Sequence, residues 1–284
     1  MIPPTLADNL RNGLCVPWCG AGISIPSGMP SWHQLVDEFI HASRSYGLNE
    51  TQETELREMF QANALEDIVD FCRDFLGEGE YRNFLQKILE ADRQPSRIHE
   101  LIATWPVPAL LTSNYDRLME GAIAAKTGAI PKVLTADDTA TLWQHFAKNK
   151  FFLLKVHGDI VRPPTVVLTS RDYTNHVFGN LPFMTFLQRV VLSRSVFFIG
   201  SSLQDIYLRR ILEETTHMTG GVGMPHFALI PNPGTIRSRL LRDRYNIIVV
   251  SYDPASQPSH EEAVLHALGE IGDAAFPNQQ DEAV

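Results

Sequence analysis

The chain has 284 residues, 44% of them hydrophobic, which suffices for a real core in one large α/β domain or two small ones. A formal net charge of −9 argues against a general binder of phosphate backbones, because such proteins need concentrated lysine and arginine. The opening residues hold neither a basic segment nor an apolar signal core, and no apolar run is long enough to span a bilayer, so a cytoplasmic location with no nucleic-acid or membrane partner is expected.

In chain order, Leu6 and Leu10 are four apart and Gly13 follows, so a short helix leads into a strand over 14–19. Cys15 and Cys19 share one face of that strand and are expected as core thiols. With Cys72 they make three cysteines, too few for a disulfide framework or a four-cysteine zinc site, and no metal is expected.

The strand ends in Gly20, Ala21 and Gly22, with Ser24 close behind. Residues without a Cβ let the backbone turn sharply and let a pyrophosphate approach its N–H groups, so the stretch has the layout of a phosphate-binding loop. The fingerprint G-x-G-x-x-G is not met, since Ile25 holds the third glycine position and the next glycine is Gly28. A tight turn without a ligand therefore stays open as a reading.

Ser31 can cap a helix in which Trp32, Leu35, Val36, Phe39 and Ile40 repeat at helical spacing, with Gly47 as its stop. Its apolar stripe is expected to lie on the sheet. Trp32 reads either as a shield for a ligand pocket or as an anchor in that packing. From 49 to 104 the pattern is helical throughout, which implies an insertion beside the glycine loop.

Strands return at 109–112, weakly at 132–135, and at 151–156, 165–168, 196–199, 227–230 and 247–251. Helical patterns near 117–126, 139–147, 182–192, 203–217, 235–242 and 260–271 separate them. This alternation predicts a doubly wound parallel sheet, α/β in class, and the near-continuous apolar strands predict helices on both faces. A single domain results, with a core over about 1–48 and 105–275, a helical insertion over about 49–104, and a frayed tail over about 275–284.

In such a sheet, ligands bind at the carboxyl ends of the strands. Five ends carry polar residues: the glycine loop, T-S-N-Y-D with Asn114 and Asp116, V-H-G-D with His157, I-G-S-S-L-Q-D with Gly200, Ser201 and Ser202, and L-I-P-N-P with Asn232. Five on one edge suggest one site. The remaining histidines, His33, His41, His99, His145, His176, His217, His226, His260 and His266, follow no ligand spacing and read as surface or core. Asp205 reads as a cap of the helix after it.

In this order, G-A-G-I-S with S-G-M-P, T-S-N-Y-D, V-H-G-D and I-G-S-S-L resemble the sirtuins, and most of all the sirtuin-like NAD hydrolases of bacterial anti-phage defence systems of the Thoeris type. The resemblance covers about 14–253 and implies a Rossmann-like, sirtuin-type sheet. Two departures stand out. The four-cysteine zinc module of protein-deacylating sirtuins is absent, and Ser31, Trp32 and His33 stand where those enzymes carry Asp-Phe-Arg.

The resemblance implies hydrolysis of NAD, as substrate, to nicotinamide and ADP-ribose. Breaking the nicotinamide–ribose bond passes through an oxocarbenium-like state with a leaving group that is already cationic, so positioning and charge stabilisation matter more than a strong acid. By resemblance Asn114 would hold the attacking water and ribose hydroxyls, with His157 as general base. Gly20, Ala21, Gly22, Ser24, Gly200, Ser201 and Ser202 would hold the phosphates, Asn232 the adenosine ribose, and Thr112 would line the pocket. Asp116 would bind the carboxamide or ribose, or cap the helix starting at Arg117. A homo-oligomer is implied, and a separate defence subunit such as a nucleoside triphosphatase or nuclease is a further partner. Two rival readings are an NAD-dependent deacylase or ADP-ribosyltransferase, and a non-catalytic NAD or ADP-ribose sensor.

Overall fold

The structure is a computed structural model that describes residues 2–90 and 92–277. Its strands are Cys15–Cys19 (β1), Leu110–Thr112 (β2), Val133–Leu134 (β3), Leu153–Lys155 (β4), Ser195–Ile199 (β5), His226–Pro231 (β6) and Ile247–Tyr252 (β7). They form one sheet in the order β3-β4-β2-β1-β5-β6-β7, with every pairing parallel. The helices are Pro4–Arg11 (α1), Trp32–Arg44 (α2), Glu50–Gln61 (α3), Leu65–Leu76 (α4), Glu78–Leu89 (α5), Arg97–Ala103 (α6) and Leu118–Thr127 (α7). After them come Thr139–Ala147 (α8), Ser170–Gly179 (α9), Leu181–Ser193 (α10), Ile206–Met218 (α11), Thr235–Tyr245 (α12) and His260–Ala275 (α13).

Successive strand residues face opposite sides, and both sides are filled. Val16, Trp18, Leu111, Leu154 and Phe198 join a core with α8, α10, α11 and α12. Cys15, Cys19, Leu110, Leu153, Phe197 and Ile199 join another with α1, α6, α7 and α13. This is the doubly wound parallel sheet expected from the alternation. Both predicted core thiols are buried, and burial alone pushes the Cys15 thiol up.

The stripe of α2 does not lie on the sheet. Leu35, Val36, Phe39 and Ile40 pack with Leu65, Ile68, Val69 and Cys72 of α4 in a third core that also takes in α3 and α5. The chain leaves β1 through two 3-10 turns, Ala21–Ile23 and Ile25–Ser27, and a left-handed Gly28, which carry α2 away from a sheet face already occupied. A capping box then starts α2, Ser31 Oγ accepting from the Gln34 N–H while Gln34 Oε1 accepts from the Ser31 N–H.

Three further expectations are corrected. Residues 165–168 form no strand: Thr165 closes a 3-10 turn opened by Pro163 and Pro164, and the segment beyond it is tied down by the Val167 N–H donating to His157 O at 2.9 Å. Its apolar character reflects burial of Val167 and Leu168. Helix α9 has no counterpart among the predicted elements, although the reciprocal Thr169 and Asp172 cap was legible as T-x-x-D. At the other end, Ala275 is buried inside α13, and Phe276 lies 6.2 Å from the Trp105 ring, so neither residue is frayed; the rest of that expected tail, 278–284, lies outside the described residues.

Glycines are required where β1 and β5 end. A Cβ on Gly20 would sit 2.7 Å from Gly200 O, one on Gly22 2.8 Å from Gly200 Cα, and one on Gly200 2.7 Å from Ile23 N. The Gly20 N–H donates to Ile199 O and the Gly22 N–H to Gly200 O, both at 2.9 Å. Gly22→Ala is therefore expected to cost on the order of 2 kcal/mol in urea unfolding by forcing two backbones apart. An unchanged midpoint would mean that the loops part freely.

Burial lowers His99, His176 and His226 to about 4. The unfolded chain then binds more protons than the folded one between the ordinary value of 6.5 and about 4, so stability falls as pH falls through that window. The melting temperature is expected to drop steadily from neutral pH to the lower end of this window. A flat profile would contradict neutral burial of these rings.

Candidate active site

From β1 the chain runs outward to β2 and β4, and from β5 it runs the other way to β6 and β7, so the strand order reverses between β1 and β5. The crevice beyond their carboxyl ends is the switch point at which such sheets take ligands. Gly20, Ala21, Gly22 and Ser24 enter it from β1, Asn114 and Asp116 from β2, His157 from β4, and Gly200, Ser201 and Ser202 from β5.

Thr112 ties the β2 turn to β1: its Oγ1 donates to Cys19 O and accepts from the Asn114 N–H, both at 3.0 Å. Asn114 Nδ2 donates to Gly20 O at 3.2 Å and to Ser24 Oγ at 3.0 Å. Both amide protons are thus engaged, and Oδ1 is the group that Asn114 can offer to a water or hydroxyl donor. Ser24 Oγ donates in turn to Asp116 Oδ2 at 2.9 Å, while Asp116 Oδ1 accepts from the Leu118 N–H at the start of α7. Asp116 thus caps the start of α7, one of its two expected roles, and also ties Ser24 into the polar cluster.

His99 belongs to this cluster and not to the general core. Its Nε2 lies 3.3 Å from Ser24 Oγ, and its Nδ1 accepts from the Ser96 N–H. Burial, partly offset by Asp116, lowers it to about 4, so the ring is neutral and its proton sits on Nε2, facing Ser24. The capping pattern S-x-x-H, with Ser96 three residues before His99, was the available sequence signal.

His157 pairs with a residue that had been read only as a cap. Its Nε2 lies 2.7 Å from Asp205 Oδ2, while Asp205 Oδ1 accepts from the N–H groups of Tyr207 and Leu208 at the start of α11. Burial pushes the Asp205 carboxyl up, but His157 and the two N–H donors outweigh it and hold the carboxyl below its usual range. With Nε2 directed at Asp205, Nδ1 is the ring atom left to take a proton.

Aromatic rings roof this pair. Tyr173 stands edge-on to His157 with centroids 5.5 Å apart and stacks on Tyr207 at 4.8 Å. Tyr173 rides on α9, which α4 holds by Ser170 on Asp67, Arg171 on Asp70 and Asp74, and Arg73 on Asp172. The helical insertion thus walls the site, and Glu66 at the start of α4 is pushed up by burial and by the carboxylates of Asp67 and Asp205. Asn114 and His157 are only 9% and 8% exposed.

The remaining expected contacts are tied into their own loops. Ser201 and Ser202 accept, through Oγ, from the N–H groups of Leu203 and Gln204. Asn232 is exposed at the end of β6, where Nδ2 donates to Asp253. Among the described residues no group of three or more His, Cys, Asp or Glu is arranged to hold a metal, and no helix is long and apolar enough to cross a membrane.

The model of the SIR2-like domain family matches residues 108–250. The chain is similar to defense-associated sirtuin 2 of Bacillus subtilis, at 26% identity over 98% of this chain and 28% of that protein. It is also similar to NAD(+) hydrolase ThsA of Cytobacillus dafuensis, at 26% identity over 81% of this chain and 42% of that protein. The chain thus spans less than half the length of these curated relatives. A crystal structure of a Sir2 homolog–NAD complex aligns with a TM-score of 0.48 at 12% identity, covering 97% of this chain and 96% of that one. With half of its length matched by that family model, the chain belongs to the SIR2-like domain family.

Proposed function

We propose that the chain hydrolyses NAD at the nicotinamide–ribose bond, releasing nicotinamide and ADP-ribose, and that the resulting loss of NAD serves anti-phage defence. The observation that carries this reading is the His157–Asp205 pair, which joins the end of β4 to the start of α11 and so spans the strand end of β2 that carries Asn114. The relatives named NAD(+) hydrolase and defense-associated sirtuin support it.

Nicotinamide leaves as a neutral molecule, so positive charge passes to the ribose and no strong acid is needed. Asp116 and Asp205 set a negative field for that charge. Asn114 Oδ1 accepts from the attacking water or a ribose hydroxyl and fixes its position. As the water bonds to the anomeric carbon, His157 takes its proton at Nδ1, and the Asp205 carboxylate stabilises the resulting imidazolium. With the Gly20 and Gly22 N–H groups engaged by Ile199 O and Gly200 O and the Ser24 hydroxyl by Asp116, the phosphates are assigned to Ala21 and to the Ser201 and Ser202 hydroxyls, and the adenosine ribose to Asn232.

An enzyme that destroys NAD has to be restrained, so the reading includes control by self-association or by a separate defence subunit such as a nucleoside triphosphatase or nuclease. Its substrate is an intracellular dinucleotide, and a cytoplasmic location goes with it.

The test is nicotinamide release from NAD by purified protein over a range of protein concentrations. Asn114→Ala and His157→Ala are expected to abolish release while the melting transition stays cooperative; full release by either variant would sink the assignment. Asp205→Asn retains the α11 cap but not the charge, and is expected to lower kcat by about 100-fold with little change in KM. Steeply rising specific activity with concentration would support control by assembly, and faster release on adding an acetylated peptide would favour a transferase instead.

A further inference from the structure

Lys155 closes β4 two residues before His157, and its side chain is completely buried. Its ammonium donates to the backbone carbonyls of Tyr115 at 3.2 Å and Asp116 at 2.6 Å. It also meets the carboxylates of Asp159 at 2.9 Å and Glu120 at 2.6 Å, themselves buried. An ammonium has three N–H donors, so these four acceptors use all of them.

Stability does not account for this arrangement. Buried ion pairs are commonly matched or surpassed by apolar residues of similar volume, and this cluster sets two carboxylates against one cation. Glu120 Oε2 has no hydrogen-bond partner, and burial pushes the Glu120 carboxyl up against the pull of Lys155. What an apolar side chain would lose is the pair of bonds to Tyr115 O and Asp116 O. Those carbonyls belong to the turn that carries Asn114 and Asp116, while Lys155 stands on the strand that delivers His157. Asp159 adds a second tie from beyond His157, at Gly158, whose left-handed backbone and 2.0 Å approach of a Cβ to Thr165 O leave that bend little freedom.

We infer that Lys155 is a positioning residue: its ammonium sets the separation between the Asn114 turn and the His157 loop, and so between the group that holds the water and the group that takes its proton. This rests on the proposed hydrolysis only for the catalytic consequence, because the clamp on the turn has a readout of its own.

Lys155→Met alone strands two buried carboxylates, so the informative protein is the neutral triple variant Lys155→Met with Glu120→Gln and Asp159→Asn. It is expected to melt cooperatively, with amides 114–118 exchanging hydrogen at least about tenfold faster than in the parent and those of β1 and β5 unchanged. Its kcat for nicotinamide release is expected to fall by about 100-fold while KM moves far less. Unchanged protection of the turn, or a kcat within about threefold of the parent, would overturn the inference. Should the triple variant fail to fold, Lys155→Gln with Glu120→Gln takes the same two readings. Where the purified parent releases no nicotinamide, exchange at 114–118 alone decides the role of Lys155, so failure of this inference and failure of the proposed function stay distinguishable.

Discussion

The site depends on one close contact, the back-to-back approach of the backbones that leave β1 and β5. Gly20 and Gly22 on one side and Gly200 on the other have no side chains because there is no room for a Cβ between them. Their mutual hydrogen bonds extend the sheet past the ends of its two central strands. This is the point where the chain reverses its order of strands. A glycine pattern that reads as a cradle for phosphate is therefore demanded first by the packing of the protein against itself.

Around that contact, polar groups are buried in linked sets. Ser24 joins His99, Asn114 and Asp116, Asp205 joins His157 to the start of α11, and Lys155 joins the β2 turn to the end of β4. Each set uses hydrogen bonds to satisfy groups that would otherwise be costly to bury. Each also spans two or more strand ends, so the relative placement of Asn114 and His157 is over-determined. Such pre-organisation suits a reaction in which positioning and electrostatics outweigh acid strength.

The helical insertion contributes a wall instead of a reacting group. Its core is formed with α2 and not with the sheet, and its outward link is the set of ion pairs that holds α9 and Tyr173 over His157. Tyr173 thereby covers one side of the imidazole, and the low exposure of His157 strengthens the field of Asp205 on it.

The sheet and most of its helices were legible because parallel strands buried on both faces read as continuous apolar runs, and their helices repeat apolar residues at helical spacing. The strand ends pointed to Asn114, Asp116 and His157 for the same topological reason. Segment 165–168 was misread because an apolar run records burial and not hydrogen bonding, and only the tertiary structure shows that Pro163 and Pro164 precede a segment with no ladder. Helix α9 escaped because its capping box has a weak apolar period behind it. Asp205 was legible as a cap from its place before a helix, yet its second oxygen meets a histidine 48 positions away in the chain, by their numbers in the sequence. The sequence determined by itself which faces are apolar and where the chain turns, since those are local properties. Only the tertiary structure decided which buried polar side chains meet, because His99 with Ser24, His157 with Asp205, and Lys155 with Glu120 are each brought together by the packing of elements distant in the chain and not by spacing.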